Sequence, residues 1–279
     1  MTTTLRPTGP LQQTADGGKS RSYEVCVNSR PVGALDIATD AAFGHRAGIL
    51  QGLRVAEPDR RRGRATVAVL AAEEVLRDWG CEQALASVEP GASGATRLLA
   101  SLGYTERSRT MDKELAPEPP SLPEGVEARP MSDAEYATWL ADGIDAFARE
   151  WIDRGTPPGT ARAKSERSHR ENLPDGLATP GVTFRVLVHD GSAVGHLWVS
   201  RHEVRPGRWG SYVYDVAVTE EMRGRGFGRA LMLLAEQVAH ASGSDLLGLH
   251  VFTDNTPAVR LYESLRYVTV HRNFVKRLL

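Results

Sequence analysis

The stretch Asp215-Val-Ala-Val-Thr-Glu-Glu-Met-Arg-Gly-Arg-Gly-Phe-Gly-Arg-Ala230 decides how the rest of this chain is read. An apolar, strand-like run from Tyr212 to Val218 enters a turn with glycines at 224, 226 and 228. The turn leads straight into an amphipathic helix expected over Arg229 to Ala241. Glycines let backbone N–H groups converge without side-chain obstruction. The helix start adds unpaired donors and the positive end of its dipole. Together they form an anion cradle suited to a pyrophosphate, and Arg223, Arg225 and Arg229 add positive charge. The P-loop pattern requires a GK[ST] triplet directly after its loop, and none follows the glycines at 224, 226 and 228. The dinucleotide fingerprint requires its third glycine one position later than Gly228.

Downstream of the cradle, Leu246 to Phe252 is expected as a strand and Pro257 to Leu265 as a short helix. Val268 to Val275 is expected as a last strand. Upstream, Phe184 to Val188 and Val194 to Ser200 form a hairpin around His189-Asp-Gly-Ser192. Further back, Ser132-Asp-Ala-Glu135 is a capping box opening a helix. Its apolar face is Tyr136, Trp139, Leu140, Ile144, Phe147 and Trp151, and a polar helix follows over Thr160 to Glu171. The proline-rich run Ala116 to Gly125 forbids a helix or central strand and reads as a stiff linker. Before it come strands at Tyr23 to Val27, Val32 to Ile37 and Leu53 to Val55, and a helix from Thr66 to Trp79 ended by Gly80.

The segments on either side of the linker match without gaps at an offset of 163 residues. Arg60 falls on Arg223, Gly63 on Gly226, Glu73 on Glu236, Gly80 on Gly243, Arg97 on Arg260, Leu102 on Leu265 and Tyr104 on Tyr267. Upstream, Pro31-Val-Gly33 meets Ala193-Val-Gly195 after a one-residue slip. This is a duplicated α/β domain. The first copy has little chain before its first hairpin, so it is expected to lack the opening strand and helices of the second.

The V-x-V of Val216 to Val218, followed by R-x-x-G-x-G at Arg223 to Gly228, resembles the acetyl-CoA-binding motif of the GNAT superfamily of N-acetyltransferases. Asn255, Ala258, Leu261, Tyr262 and Leu265 fit that family's second signature, N-x-x-A-x-x-L-Y-x-x-L. The resemblance implies two GNAT-like α/β domains, each a mixed, mainly antiparallel sheet flanked by helices. Residues 1–115 would be a degenerate, truncated copy, 116–125 the linker and 126–279 the complete catalytic domain. A cofactor wedge would open between the strands ending near Val218 and Phe252. Val216, Ala217 and Val218 would offer backbone groups to the pantetheine arm of acetyl-CoA. The N–H groups of Arg223, Gly224, Arg225, Gly226, Phe227, Gly228 and Arg229 would hold the pyrophosphate. Asn255 would hydrogen-bond the cofactor arm, and Tyr262 would protonate the departing thiolate.

The acceptor amine is an ammonium at neutral pH and must lose a proton before it attacks. His250 is the first candidate base, because strand alternation turns it away from Leu249 and Val251. Asp215 and Tyr212 are rivals, or anchors for a water relay. A hydrogen-bonded strand histidine is the structural alternative for His250, and a packing residue that for Tyr262. In the first copy Leu99, Ala92 and Ser87 stand where Tyr262, Asn255 and His250 stand, so that copy is expected to be inactive. The family's L-G-[FY] ending becomes Leu265-Arg-Tyr267, and Arg266 is expected to carry strain if that position is left-handed.

A net charge of −1 argues against a general nucleic-acid binder, which needs cations to release counterions. No apolar run approaches the roughly 20 residues that span a bilayer. The N-terminus is polar, so the cytoplasm is the expected location. Cys26 and Cys81 have no metal-site spacing, no metal is implied, and both are expected to be buried spectators. Trp139, Phe147 and Trp151 with nearby acids suit a cationic amine, or are simply core aromatics and a solvated helix face. A small-molecule amine is preferred as acceptor over a protein N-terminus or lysine, a non-catalytic acyl-CoA-binding regulator is the competing class, and a homodimer is an open expectation.

Overall fold

The computed structural model describes residues 2–40, 46–153 and 155–278, which fall into two compact units. The first comprises Met1–Ser108 with His271–Leu279, and the second Arg109–Val270. The units divide within the last strands of the two copies, so that most of each strand is grouped with the other copy. Alternation identifies a strand; it does not say which sheet accepts it.

In the first unit β1 (Thr3–Pro7), β3 (Lys19–Val27), β4 (Arg30–Thr39), β5 (Ala47–Val55), β6 (Gln83–Val88) and β13 (Val268–Arg277) lie in that order, with β2 (Gln12–Gln13) beside β3. All ladders here are antiparallel except β5–β6. Helices α1 (Arg64–Asp78) and α2 (Ser93–Ser101) complete it. The expectation that this copy lacks an opening strand is corrected by β1. Its sequence Thr-Thr-Leu-Arg-Pro is a polar edge strand with no alternation to reveal it. What this unit lacks among its described residues is the opening helix pair, and the matching sheet face is polar, carrying Ser22, Glu24, Asp36 and Arg54.

The second unit repeats the plan. β7 (Thr105–Glu114), β12 (Leu246–Phe252), β11 (Arg208–Val218), β10 (Ser192–Arg205), β9 (Val182–His189) and β8 (Val126–Pro130) lie side by side. Helix α5 (Phe227–Ala241) packs Leu231, Leu234 and Val238 against Leu197, Val213 and Leu249 of the sheet, and α6 (Thr256–Ser264) adds Tyr262. The opposite face is covered by α3 (Asp133–Asp153) and α4 (Pro158–Asn172), with Met131, Trp139, Phe184, Val186 and Trp198 buried between. The capping box forms in both directions. Glu135 Oε2 accepts from the Ser132 N–H at 2.9 Å, and the Glu135 N–H reaches Ser132 Oγ at 3.4 Å. Arg129, the Ser132 N–H and the Ser132 hydroxyl, which donates to Oε2 at 2.7 Å, hold the Glu135 carboxyl down at about 2.

The duplication extends to buried charge. In the first unit Lys276 of β13 donates to both carboxylate oxygens of Glu73 on α1, at 2.8 and 2.7 Å, and its ammonium lies 5.6 Å from the Tyr104 ring centroid. In the second, Lys113 of β7 donates to Glu236 on α5 at 2.5 Å and lies 5.7 Å from the Tyr267 ring. Each residue of one trio maps onto the other at the same 163-residue offset. Glu73 is 1% exposed, a burial that an unpaired carboxylate would not tolerate. Burial and the adjacent glutamate raise both phenols well above the ordinary tyrosine range.

Two left-handed positions show where the copies have drifted. Gly103 (φ 85°) matches Arg266 (φ 68°), and Gly224 (φ 76°) matches Arg61 (φ 57°). The backbone has kept its conformation after losing the residue that adopts it freely, so the strain expected at Arg266 is present. Arg266→Gly should therefore raise stability by about 1 kcal/mol. Arg260→Gly, in the interior of α6, should lower it by about 1 kcal/mol. Urea midpoints measure both. The buried pair sets a second expectation: Lys276→Met costs about 3 kcal/mol by leaving Glu73 only the Arg77 guanidinium at 3.8 Å, and adding Glu73→Gln restores most of it. A double-mutant cycle in urea that finds simple additivity would contradict the pairing.

Candidate active site

β11 and β12 run parallel and pair only at Ser211 with Leu247, Tyr212 with Gly248 and Val213 with Leu249. Beyond these pairs β11 continues to Val218 and β12 to Phe252 without a shared ladder. This is the wedge expected from the sequence. On its other edge β11 stays paired with β10 as far as Val218. The edge of Tyr214–Val218 that faces away from β10 therefore has no strand partner.

A β-bulge aims the side chains along this edge. Trp198 pairs with Asp215 but the next residue, Val199, pairs with Val213, so Tyr214 is the extra residue. Val213, Val216 and Val218 all pack on the α5 side. The three-residue step from Val213 to Val216 replaces the usual two, and both Tyr214 and Asp215 turn toward α3. Tyr214 stacks on Trp198 with centroids 4.7 Å apart, and its hydroxyl lies 3.1 Å from His202 Nδ1. Burial lowers the pKa of His202 and raises those of Tyr212 and Tyr214.

Asp215 becomes the polar centre of that face. Its Oδ2 accepts from the Trp139 indole N–H at 2.7 Å and lies 2.9 Å from His196 Nε2. Burial alone would raise its pKa. The His196 contact, the Trp139 N–H and the Val216 N–H outweigh it and hold the carboxyl below the ordinary aspartate range. Sequence reading named Asp215 but missed His196. The only available signal was its place on the strand that pairs with the V-x-V segment, and the bulge that lets it reach Asp215 is not written in the local pattern.

After Val218 the chain makes a short 3₁₀ turn, Glu220–Met222, and enters the glycine loop. Gly224 and Gly226 are left-handed, with φ of 76° and 89°, and a Cβ on either would meet nothing within 4 Å. The space above the loop is open, and conformation rather than crowding demands these glycines. Gly228 differs, since its Cβ would approach Leu261 Cδ2 at 3.3 Å, so it lets α5 and α6 come close. Gly226 caps α5 without a side-chain bond. Among the described residues the N–H groups of Gly224, Arg225, Gly226, Phe227 and Gly228 have no backbone acceptor. The Phe227 side chain is core. Arg223 Nε donates to Val218 O at 3.4 Å and Arg229 to Ser264 Oγ at 2.6 Å, while Arg225 is exposed.

Tyr262 and Asn255 lie on the far bank of the wedge. The Tyr262 ring is buried against the α5 core. Burial first, and then the charge of Asp215, push its phenol up to about 12. Asn255 is the N-cap of α6, its Oδ1 accepting from the Ala258 N–H at 3.2 Å, so its carbonyl has a structural duty and its amide donors are separate from it. His250 projects outward between buried Leu249 and Val251, its ring edge-on to Phe252 at 5.1 Å. Phe252 in turn meets Trp151 of α3 at 5.2 Å.

The first unit has the same frame. β5 and β6 pair from Ala47 with Gln83 to Leu50 with Ala86 and then part at the equivalent point. Gly63 caps α1 at φ 72°, and Arg60 Nε donates to Val55 O at 2.8 Å as Arg223 does to Val218. Leu99 occupies the tyrosine position as a core residue, and Ala92 caps α2 with no side-chain bond.

The sequence profile of the acetyltransferase (GNAT) family matches residues 4–104 and 144–267. The chain is 30% identical over 136 residues to the uncharacterized N-acetyltransferase YycN of Bacillus subtilis, covering 48% of this chain and 86% of that protein. It is 32% identical over 230 residues to the mycothiol acetyltransferase of Streptomyces griseus, covering 77% of this chain and 67% of that relative. A GCN5-related N-acetyltransferase structure from Sphaerobacter thermophilus shares the fold, with a TM-score of 0.60 at 22% identity over 92% of this chain and 80% of that one. With both repeats inside the matched regions and the same frame in each unit, the chain belongs to the acetyltransferase (GNAT) family.

Proposed function

We propose that this enzyme transfers the acetyl group of acetyl-CoA directly to a small-molecule amine, and that its second unit does the chemistry. The observation that carries the reading is the wedge between β11 and β12, with an open anion cradle at one end and a buried phenol beside it. The cradle fits a pyrophosphate by its own geometry, through five N–H groups without backbone acceptors and open space over two left-handed glycines. The free edge at Val216, Ala217 and Val218 suits an amide-bearing pantetheine arm, and the Asn255 amide can donate to it. Arg225, Arg223 and Arg229 supply the positive field. A small acceptor is favoured by the likeness to a mycothiol acetyltransferase.

In this reading the amine loses a proton to a protein base, and its lone pair forms the C–N bond at the thioester carbonyl. The C–S bond then breaks, and sulfur takes the Tyr262 proton. The phenolate recovers a proton from the new amide nitrogen, so the tyrosine is unchanged over a cycle. Holding both substrates in line is the main contribution of the wedge. The first unit lacks the phenol and the capping asparagine, and is assigned no turnover.

Tyr262→Phe tests the reading against a panel of amines followed by thiol release. It should lower kcat by about 10²–10⁴-fold with acetyl-CoA affinity unchanged. An acid poised at about 12 stays protonated through ordinary alkaline pH. Wild-type kcat should therefore show no alkaline loss below about pH 10. Tight acetyl-CoA binding without turnover on any amine would instead mark a non-catalytic binder.

A further inference from the structure

Two groups, the Trp139 indole N–H and the His196 Nε2, converge on one carboxylate oxygen of Asp215. An indole nitrogen only donates, so Trp139 requires Asp215 Oδ2 to be an acceptor. The low pKa of Asp215 makes the carboxylate the resting form. With an ionised acceptor 2.9 Å from Nε2, the neutral imidazole of His196 carries its hydrogen on Nε2 and presents a lone pair at Nδ1. The His196 side chain is 30% exposed and that of Asp215 34%, so the pair is open to solvent. Asp215 is also the charge that Tyr262 feels, which sets the imidazole pair within electrostatic reach of the phenol that serves the leaving sulfur.

Partners from several elements surround the pair, with the Tyr214 phenol on the same face beside Trp198. Asp215 is the ionisable partner from β11, where the cross-strand residue is Ala217. From β9 the cross-strand partner is Val186. From α3 comes the neutral Trp139. From α4 comes His169, packed 5.6 Å from the Trp139 ring with its own Nδ1 against the Ser165 carbonyl at 2.8 Å.

We propose that His196, oriented by Asp215 and through it by Trp139, is the catalytic base that takes the ammonium proton of the acceptor. The role rests on the acetyl-transfer reading given above. The ammonium N–H bond breaks, its proton goes to Nδ1, and the electron pair stays on nitrogen as the nucleophile. The imidazolium so formed is stabilised by the Asp215 carboxylate and returns its proton to solvent after the amide leaves. An ionised partner thus does two tasks, fixing the tautomer at rest and balancing the charge that appears in the transition state.

The test compares pH–rate profiles of wild type, His196→Gln and His250→Gln on the best amine of the panel, with acetyl-CoA affinity measured in parallel. His196→Gln should lower kcat/KM by about 10²–10⁴-fold, abolish the loss of activity on the acid side, and leave acetyl-CoA affinity within about twofold. His250→Gln should keep the acid-side ionisation. Nitrogen-15 histidine spectra of the wild type should report the Nε2–H tautomer for His196, a readout independent of turnover. An unchanged profile in His196→Gln, its transfer to the His250 variant, a parallel loss of acetyl-CoA affinity, or an Nδ1–H tautomer would each overturn the assignment. A wild type that binds acetyl-CoA but acetylates no amine would instead sink the transfer reading and this role with it.

Discussion

The structure turns on where two parallel strands stop pairing. A ladder between β11 and β12 that ran their full length would satisfy every backbone group and leave no room for a ligand. By ending at Val213 and Leu249 it exposes a strand edge while the apolar face beneath stays sealed by Leu231, Leu234 and Val251. The bulge at Tyr214 then assigns the two faces of that edge to different work. Valines 216 and 218 anchor the strand to α5, while Tyr214 and Asp215 turn toward α3. One extra residue therefore orients a carboxylate beside the backbone edge that the end of the ladder leaves open. Without it Asp215 would point into the α5 core, where an ionised group would be severely penalised.

Much of this was legible in the amino-acid order, because it depends on local rules. The loop glycines announce left-handed turns, and the capping box at Ser132 announces the start of α3. Strict alternation around His250 announces an outward side chain, as found. What was not legible depends on register. The bulge changes which side chains share a face, so His196 and Trp139 meet at Asp215 from strands and helices far apart in sequence. The edge strand β1 escaped notice because an exposed strand need not alternate. Arg266 shows the opposite case, where a departure from pattern correctly signalled backbone strain.

The pairing of the repeats follows a similar logic. A glutamate buried on α1 or α5 must be neutralised, and in both units the lysine that does so arrives on a strand from the other copy's sequence. The final strand is therefore part of each fold and carries its charge balance, rather than being an appendage of the domain that encodes it. This explains how the first unit keeps its frame although its described residues include no opening helix pair and Leu99 and Ala92 stand at the Tyr262 and Asn255 positions. Its helix-capping glycine, its parted strands and its Glu73–Lys276 pair are requirements of folding, whereas the phenol and the capping amide are not. Mutational drift is free to remove the second class. The first is tied to Lys113, which the first copy encodes and which the second unit needs opposite Glu236. The first copy thus supplies the second unit with a strand and one ammonium, a physical reason for the two copies to stay on one chain.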